Sequence, residues 1–165
     1  MVVDHVERDE SDNLQIFVKE MVEEDIQPLK SKRKQRKLKK GYLQEMNSNI
    51  ESTIIQIKEA KQMFMKDGGN LSEFDSTFPE LGLKKRFFEH LVRYECDEAM
   101  EIVDIMKKGI QDNIDELLFE NDGTGTDGDV LMWTNELKFV EDEFVGEHIR
   151  GLKMVMKLCP DVIKK

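Results

Sequence analysis

Residues 43–64 read LQEMNSNIESTIIQIKEAKQMF. Within them Leu43, Met46, Ile50, Thr53, Ile57, Ala60 and Phe64 fall alternately three and four apart, the spacing of a helix with one apolar seam. A two-stranded coiled coil flanks such a seam with charge. Here Ile54 and Met63 widen the seam, and the remaining flanks are mostly Asn, Gln and Lys. A stripe this broad suits a helix packed among other helices of its own chain, coiled-coil-like in period but not a dimeric zipper.

Immediately upstream lies Lys30-Ser31-Lys32-Arg33-Lys34-Gln35-Arg36-Lys37-Leu38-Lys39-Lys40, eight positive charges in eleven residues. Carried backward, the heptad puts Lys32, Arg36 and Lys39 on the seam, where unpartnered charge is not tolerated. The reading therefore ends the core near residue 41 and leaves the run solvated or matched by carboxylates. Further upstream, Asp12-Asn13-Leu14-Gln15 has capping-box spacing and opens an amphipathic segment with Leu14, Phe17, Val18, Met21, Val22 and Ile26 on one side. Pro28 stops that helix and is favoured in the first turn of the next.

Downstream, Asp67-Gly68-Gly69-Asn70 ends the seam helix. Thr77-Phe78-Pro79-Glu80 is a second capping-box pattern. It opens a helix expected to run unbroken to Phe119 through Phe87, Phe88, Leu91, Ala99, Ile102, Val103, Met106, Ile110 and Ile114. A Gly/Asp/Thr loop comes next, then a last helix marked by Val130, Trp133, Leu137, Val140, Phe144, Leu152 and Val155 and stopped by Pro160. Residues 28–66 and 79–119 would each span about 60 Å at 1.5 Å per residue. Two such lengths joined by a short linker predict an antiparallel hairpin, with the last helix folding back along its second arm and the first capping one end. The expected fold is all-α: an elongated antiparallel three- to four-helix bundle with coiled-coil-like packing. It forms a single domain over 1–165, with 1–11 a candidate disordered tail and 67–78 and 120–129 inter-helix loops.

With 165 residues, the chain fits one domain that hides roughly 70% of its unfolded surface. Apolar residues at 39% and charged ones at 36% exclude a collagen-like or disulfide-dense chain. The net charge of −10 excludes a uniformly basic nucleic-acid binder, yet it conceals segregation. Residues 1–29 sum to −7 (nine acids, two bases), the run to +8, and residues 95–129 to −10 (twelve acids, two bases). The charged N-terminus is unlike a signal peptide, no apolar run approaches the ~20 residues of a membrane span, and neither end carries a lipidation motif. Cys96 and Cys159 are too few for a disulfide framework, so both are expected as reduced core thiols in an intracellular protein rather than a secreted cytokine.

The run admits three readings. It is neutralised inside the hairpin by Asp104, Asp112, Asp115 and Glu116, with residues 30–40 opposite 105–115; or it is an import signal for the nucleus; or it contacts a polyanion. No aromatic residue lies within it to stack on a base; the nearest is Tyr42. The candidate contact residues are Lys30, Lys32, Arg33, Lys34, Arg36, Lys37, Lys39 and Lys40.

Other patterns carry less. Gly123-Thr124-Gly125-Thr126-Asp127-Gly128 spells GxGxxG, but a helix precedes it and Asp122, Asp127 and Asp129 would repel phosphate. The same acids miss the calcium-loop positions, since the twelfth residue is Thr134. His5, His90 and His148 form no metal-ligand spacing, and His90 and His148 read as structural. The ten methionines suit a core that fills irregular gaps or an adaptable partner surface. No catalytic, cofactor-binding or metal-ligating set is expected. The expected function is that of a non-enzymatic helical adaptor or structural subunit, binding protein partners, a second copy included, through helix faces. The alternatives are a nucleic-acid or chromatin-associated protein acting through residues 30–40, and a membrane-surface or trafficking bundle.

Overall fold

A computed structural model describes residues 27–120 and 127–163. The Asp12 capping box with its amphipathic segment, and the tail 1–11, lie outside the described residues. Every regular element among the described residues is helical, so the fold is all-α.

Helix α1 spans Lys32–Lys66, about 52 Å at 1.5 Å per residue. It does not begin at Pro28. Ser31 is extended (ψ 122°) and caps α1 by accepting from Lys34 N at 3.2 Å, while Leu29 donates its N–H to Leu158 O at 2.9 Å and its carbonyl accepts from the Gln35 side chain. The buried face of α1 is Gln35, Leu38, Gly41, Tyr42, Met46 and Thr53. The core thus does not stop near residue 41 but continues through the basic run. Gln35 to Met46 and Tyr42 to Thr53 are both eleven apart, or 3.67 residues per turn. A straight helix drifts about 20° per heptad off a strict seven-residue repeat. Over the roughly two to three heptads between the seam's centre and the run, that drift turns Lys32, Arg36 and Lys39 away from the buried stripe and brings Gln35 and Leu38 onto it.

Gly68 takes φ 91° where α1 ends. The stretch after it is not wholly irregular: a 3₁₀ turn, Leu71–Glu73, leads into the single-turn helix α2, Phe74–Thr77. Phe74 is buried against Phe64 and Phe78, with ring centroids 5.8 and 5.2 Å away. Helix α3, Pro79–Val92, starts at the expected proline without the expected capping box. Thr77 Oγ1 instead donates to Glu73 O at 2.8 Å, drawn back into α2. Tyr42 Oη donates to Leu91 O at 3.0 Å, Lys84 Nζ to Gln56 Oε1 at 3.2 Å, and Phe64 meets Phe78, so α3 runs back along α1.

The helix expected over 79–119 is broken. After Val92 the chain turns at Arg93–Glu95, and α4 occupies Cys96–Glu120. Tyr94 takes φ 61° and its N–H donates to Leu91 O at 3.1 Å, while the Glu95 N–H donates to His90 O at 2.9 Å. That pair of bonds is a Schellman helix end, normally built on glycine. Tyrosine in this conformation costs roughly 1–2 kcal/mol. Stacking on Tyr42, centroids 5.8 Å apart, and the His90 Nδ1 to Glu95 Oε1 contact of 2.7 Å offset it. The break changes the partners: α1 packs along α3, while α4 packs between α3 and the C-terminal helix, not along α1.

Helix α5, Asp127–Val140, continues without interruption through a π-helical segment, Glu141–Ile149, into α6, Arg150–Leu158. It returns along α4, where Lys107 Nζ meets Glu141 Oε1 at 2.6 Å. The wider π turn lets Phe144 and Ile149, five apart, share the buried face, bringing Leu152, Val155 and Leu158 onto the core behind them. Cys159 and Pro160 end the helix, and a 3₁₀ turn, Pro160–Ile163, closes the described chain. The best-packed region joins Tyr42, Phe87, Phe88, Leu91, Val103, Phe144, Leu152 and Val155.

Candidate functional site: the basic start of α1

Six of the eight basic residues lie in the first nine positions of α1 with side chains on its solvent side: Lys32, Arg33, Lys34, Arg36, Lys37 and Lys40. Lys30 precedes the helix and is exposed, and Lys37 is half-buried. The inward line of the same turns is Gln35, Leu38 and Tyr42. Gln35 Nε2 donates to Leu29 O at 2.5 Å, and Cys159 Sγ donates to Gln35 O at 3.7 Å. The start of α1 is thereby pinned to the end of the chain. Burial in this contact pushes the Cys159 thiol up to about 11, and both cysteines are free thiols.

The expectation that residues 30–40 lie opposite 105–115 is overturned. The run faces residues 158–162, and the carboxylates assigned to neutralise it are engaged locally or exposed elsewhere on α4: Lys108 meets Asp112 at 3.4 Å and Gln111 donates to Asp115 at 3.0 Å. Among the described residues, Lys39 is the one member of the run held in an ion pair, to Asp161 at 3.1 Å. The hydrogen bond from Lys39, aided by the charges of Lys39 and Lys32, holds the Asp161 carboxyl below its ordinary range. Sequence reasoning missed both Asp161 and Gln35.

The arrangement is electrostatically costly for the helix itself. The positive end of the macrodipole disfavours cations in a first turn by roughly 0.3–1 kcal/mol each. Lys32, Arg33 and Lys34 all sit there, and no acid does. Ser31 supplies the one side-chain cap. A surface assembled against its own helix dipole, and left largely without internal counter-charge among the described residues, is suited to an external anion.

His90 sits at the α3 end against Glu95, and His148 in the aromatic core, 5.0 Å from the Phe88 ring centroid. Among the described residues no three His, Cys, Asp or Glu side chains converge as a metal ion would require. Residues 121–126, with most of the GxGxxG pattern and Asp122, lie outside the described residues, and Asp127 and Asp129 belong to the first turn of α5. No described helix is long and apolar enough to cross a membrane. Compared with models of protein families, with curated proteins and with solved structures, the chain matches none.

Proposed function

We propose that the protein is a non-enzymatic helical adaptor or structural subunit that docks other proteins on helix faces. One observation carries this reading: the outer face of α5. Val130, Trp133, Leu137 and Val140 form its inward line against α4, yet none of the first three is fully buried. Met132 and Phe139, seven apart and thus on one outward face, are 54% and 52% exposed; Leu131 beside them is 60% exposed and Phe119, at the end of α4, 85%. With Ile105, five of the nine large apolar side chains exposed among the described residues lie on α4 and α5, the other four on α1 and the turn after it; such a concentration is the kind of patch that marks a protein contact. The reading takes the whole as an elongated antiparallel three- to four-helix bundle. In it the α4–α5 arm presents that patch, in an intracellular setting where Cys96 and Cys159 stay reduced and the exposed run can serve nuclear import.

The test is affinity purification of the tagged full chain from its native extract, beside a Leu131→Ser/Met132→Ser/Phe139→Ser variant of unchanged circular dichroism. A protein retained by the wild type and lost by the variant supports the reading. Partners identical for both, or none, overturn it.

A further inference from the structure

We propose that the start of α1 is a contact for duplex DNA that reads the phosphate backbone without regard to sequence. This goes beyond the protein-docking reading, which rests on the outer face of α5, and does not depend on it.

At 100° per residue, Lys32, Arg36, Lys40, Arg33, Lys37 and Lys34 are spread over an arc of roughly 200° around α1. Their spread along the axis is about 12 Å. A flat anionic surface such as a membrane meets less than half of a cylinder, so cations at both edges of this arc would point along it or away from it. A groove meets both flanks. The B-DNA major groove is about 12 Å wide and an α-helix with its side chains 10–12 Å across, which places phosphates on both sides of a helix lying there. Membrane anchoring is further disfavoured because Leu38, the apolar residue within the run, is buried. Single strands are disfavoured as well: Tyr42, the aromatic nearest the run, is buried with its hydroxyl bound to Leu91 O.

The composition of this face favours phosphates over base edges. Base edges are read by Asn, Gln, Ser, Thr and bidentate Arg. Gln35 faces inward, bonded to Leu29 O, and Ser31 is occupied as the helix cap. What remains on the solvent side is Lys and Arg, which bind phosphate and, of the bases, read guanine, so adenine and cytosine edges have no reader on this face. The first-turn N–H groups add the positive end of the helix dipole to the same contact.

The experiment is a fluorescence-anisotropy titration of the full chain against two 20-base-pair DNA duplexes of unrelated sequence, between 50 and 200 mM KCl. Engagement of about four to six phosphates gives a log–log salt slope between about −3.5 and −5.5, or a 10²- to 10³-fold loss of affinity over that range. The two duplexes are expected to bind within twofold of each other. Arg33→Gln/Lys34→Gln/Arg36→Gln/Lys40→Gln flattens the slope by about 3.6, whereas Lys84→Gln/Lys85→Gln/Lys107→Gln/Lys108→Gln, with the same change in total charge, leaves it unaltered. Lys39→Gln, already paired to Asp161, moves it least of any single substitution in the run. The proposal is overturned if duplex does not bind at 50 mM KCl, if the two quadruple variants behave alike, or if single-stranded DNA, phosphatidylserine vesicles or polyglutamate bind more tightly than duplex.

Discussion

Acidification tests the packing around His148. Its ring lies in the Phe87, Phe88 and Phe144 cluster with the side chain 12% exposed, and burial lowers its pKa from 6.5 to about 4. Glu147 pulls the other way, Lys84 reinforces the shift, and the Glu143 carboxylate stands 3.6 Å from Nε2. Desolvation prevails over the carboxylates. The folded pKa is below the unfolded one, so between the two the unfolded chain binds the extra proton. The stabilisation from a neutral His148 is therefore complete above about pH 6.5 and is lost as pH falls toward 4. At 1.36 kcal/mol per unit, the shift corresponds to about 3 kcal/mol at pH 4. Other carboxylates titrate in the same window, so the quantity to measure is a difference. Urea unfolding of wild type and His148→Phe, followed by Trp133 fluorescence at pH 7.5, 6.5, 5.5 and 4.5, should show the wild type losing about 2–3 kcal/mol relative to the variant across that series. A difference that stays constant with pH would refute the assignment of a neutral, buried imidazole.

Other substitutions probe the remaining features. Tyr94→Ala is expected to unfold about 1 kcal/mol more easily than Tyr94→Gly, because both lose the Tyr42 stack but only alanine keeps the strained φ; urea midpoints decide it. Phe87→Ala, at a fully buried site, should cost about 3–5 kcal/mol by the same assay. Ser31→Asp should raise the thermal midpoint slightly, by placing an anion at the positive end of α1, while weakening duplex binding in the anisotropy assay. With its thiol raised to about 11, Cys159 should resist alkylation at pH 8 in the folded chain and react on addition of urea.

The element types were largely legible because long apolar periodicities are robust to small errors of phase. The partners of those elements were not, and two local events explain why. The turn after Val92 rests on a tyrosine in a conformation that sequence rules assign to glycine or asparagine, and its support from Tyr42 lies fifty-two residues away. Once that turn is missed, one long helix replaces α3 and α4, and the hairpin built from it puts the basic run opposite the wrong carboxylates. The π segment is the second event. The five-residue step from Phe144 to Ile149 is visible in the sequence, but it reads as a lapse in the pattern until the wider turn gives it a cause.

The candidate site shows how a charge run and a core line can occupy the same residues. Read for its charges, the run suggests that the core has ended. Read for its gaps, it gives the opposite result: Ser31, Gln35 and Leu38 are its three uncharged members, and with Tyr42 they step by four, three and four, which is one face of a helix. Each has a structural task, as cap, as clamp on Leu29 O, and as buried packing against the end of the chain. Everything not required for folding on these three turns is Lys or Arg. Fold stability alone would favour acids at the positive end of α1 and has no need of cations around the rest of its circumference. The pattern is therefore better explained by what the surface must attract than by what the helix requires.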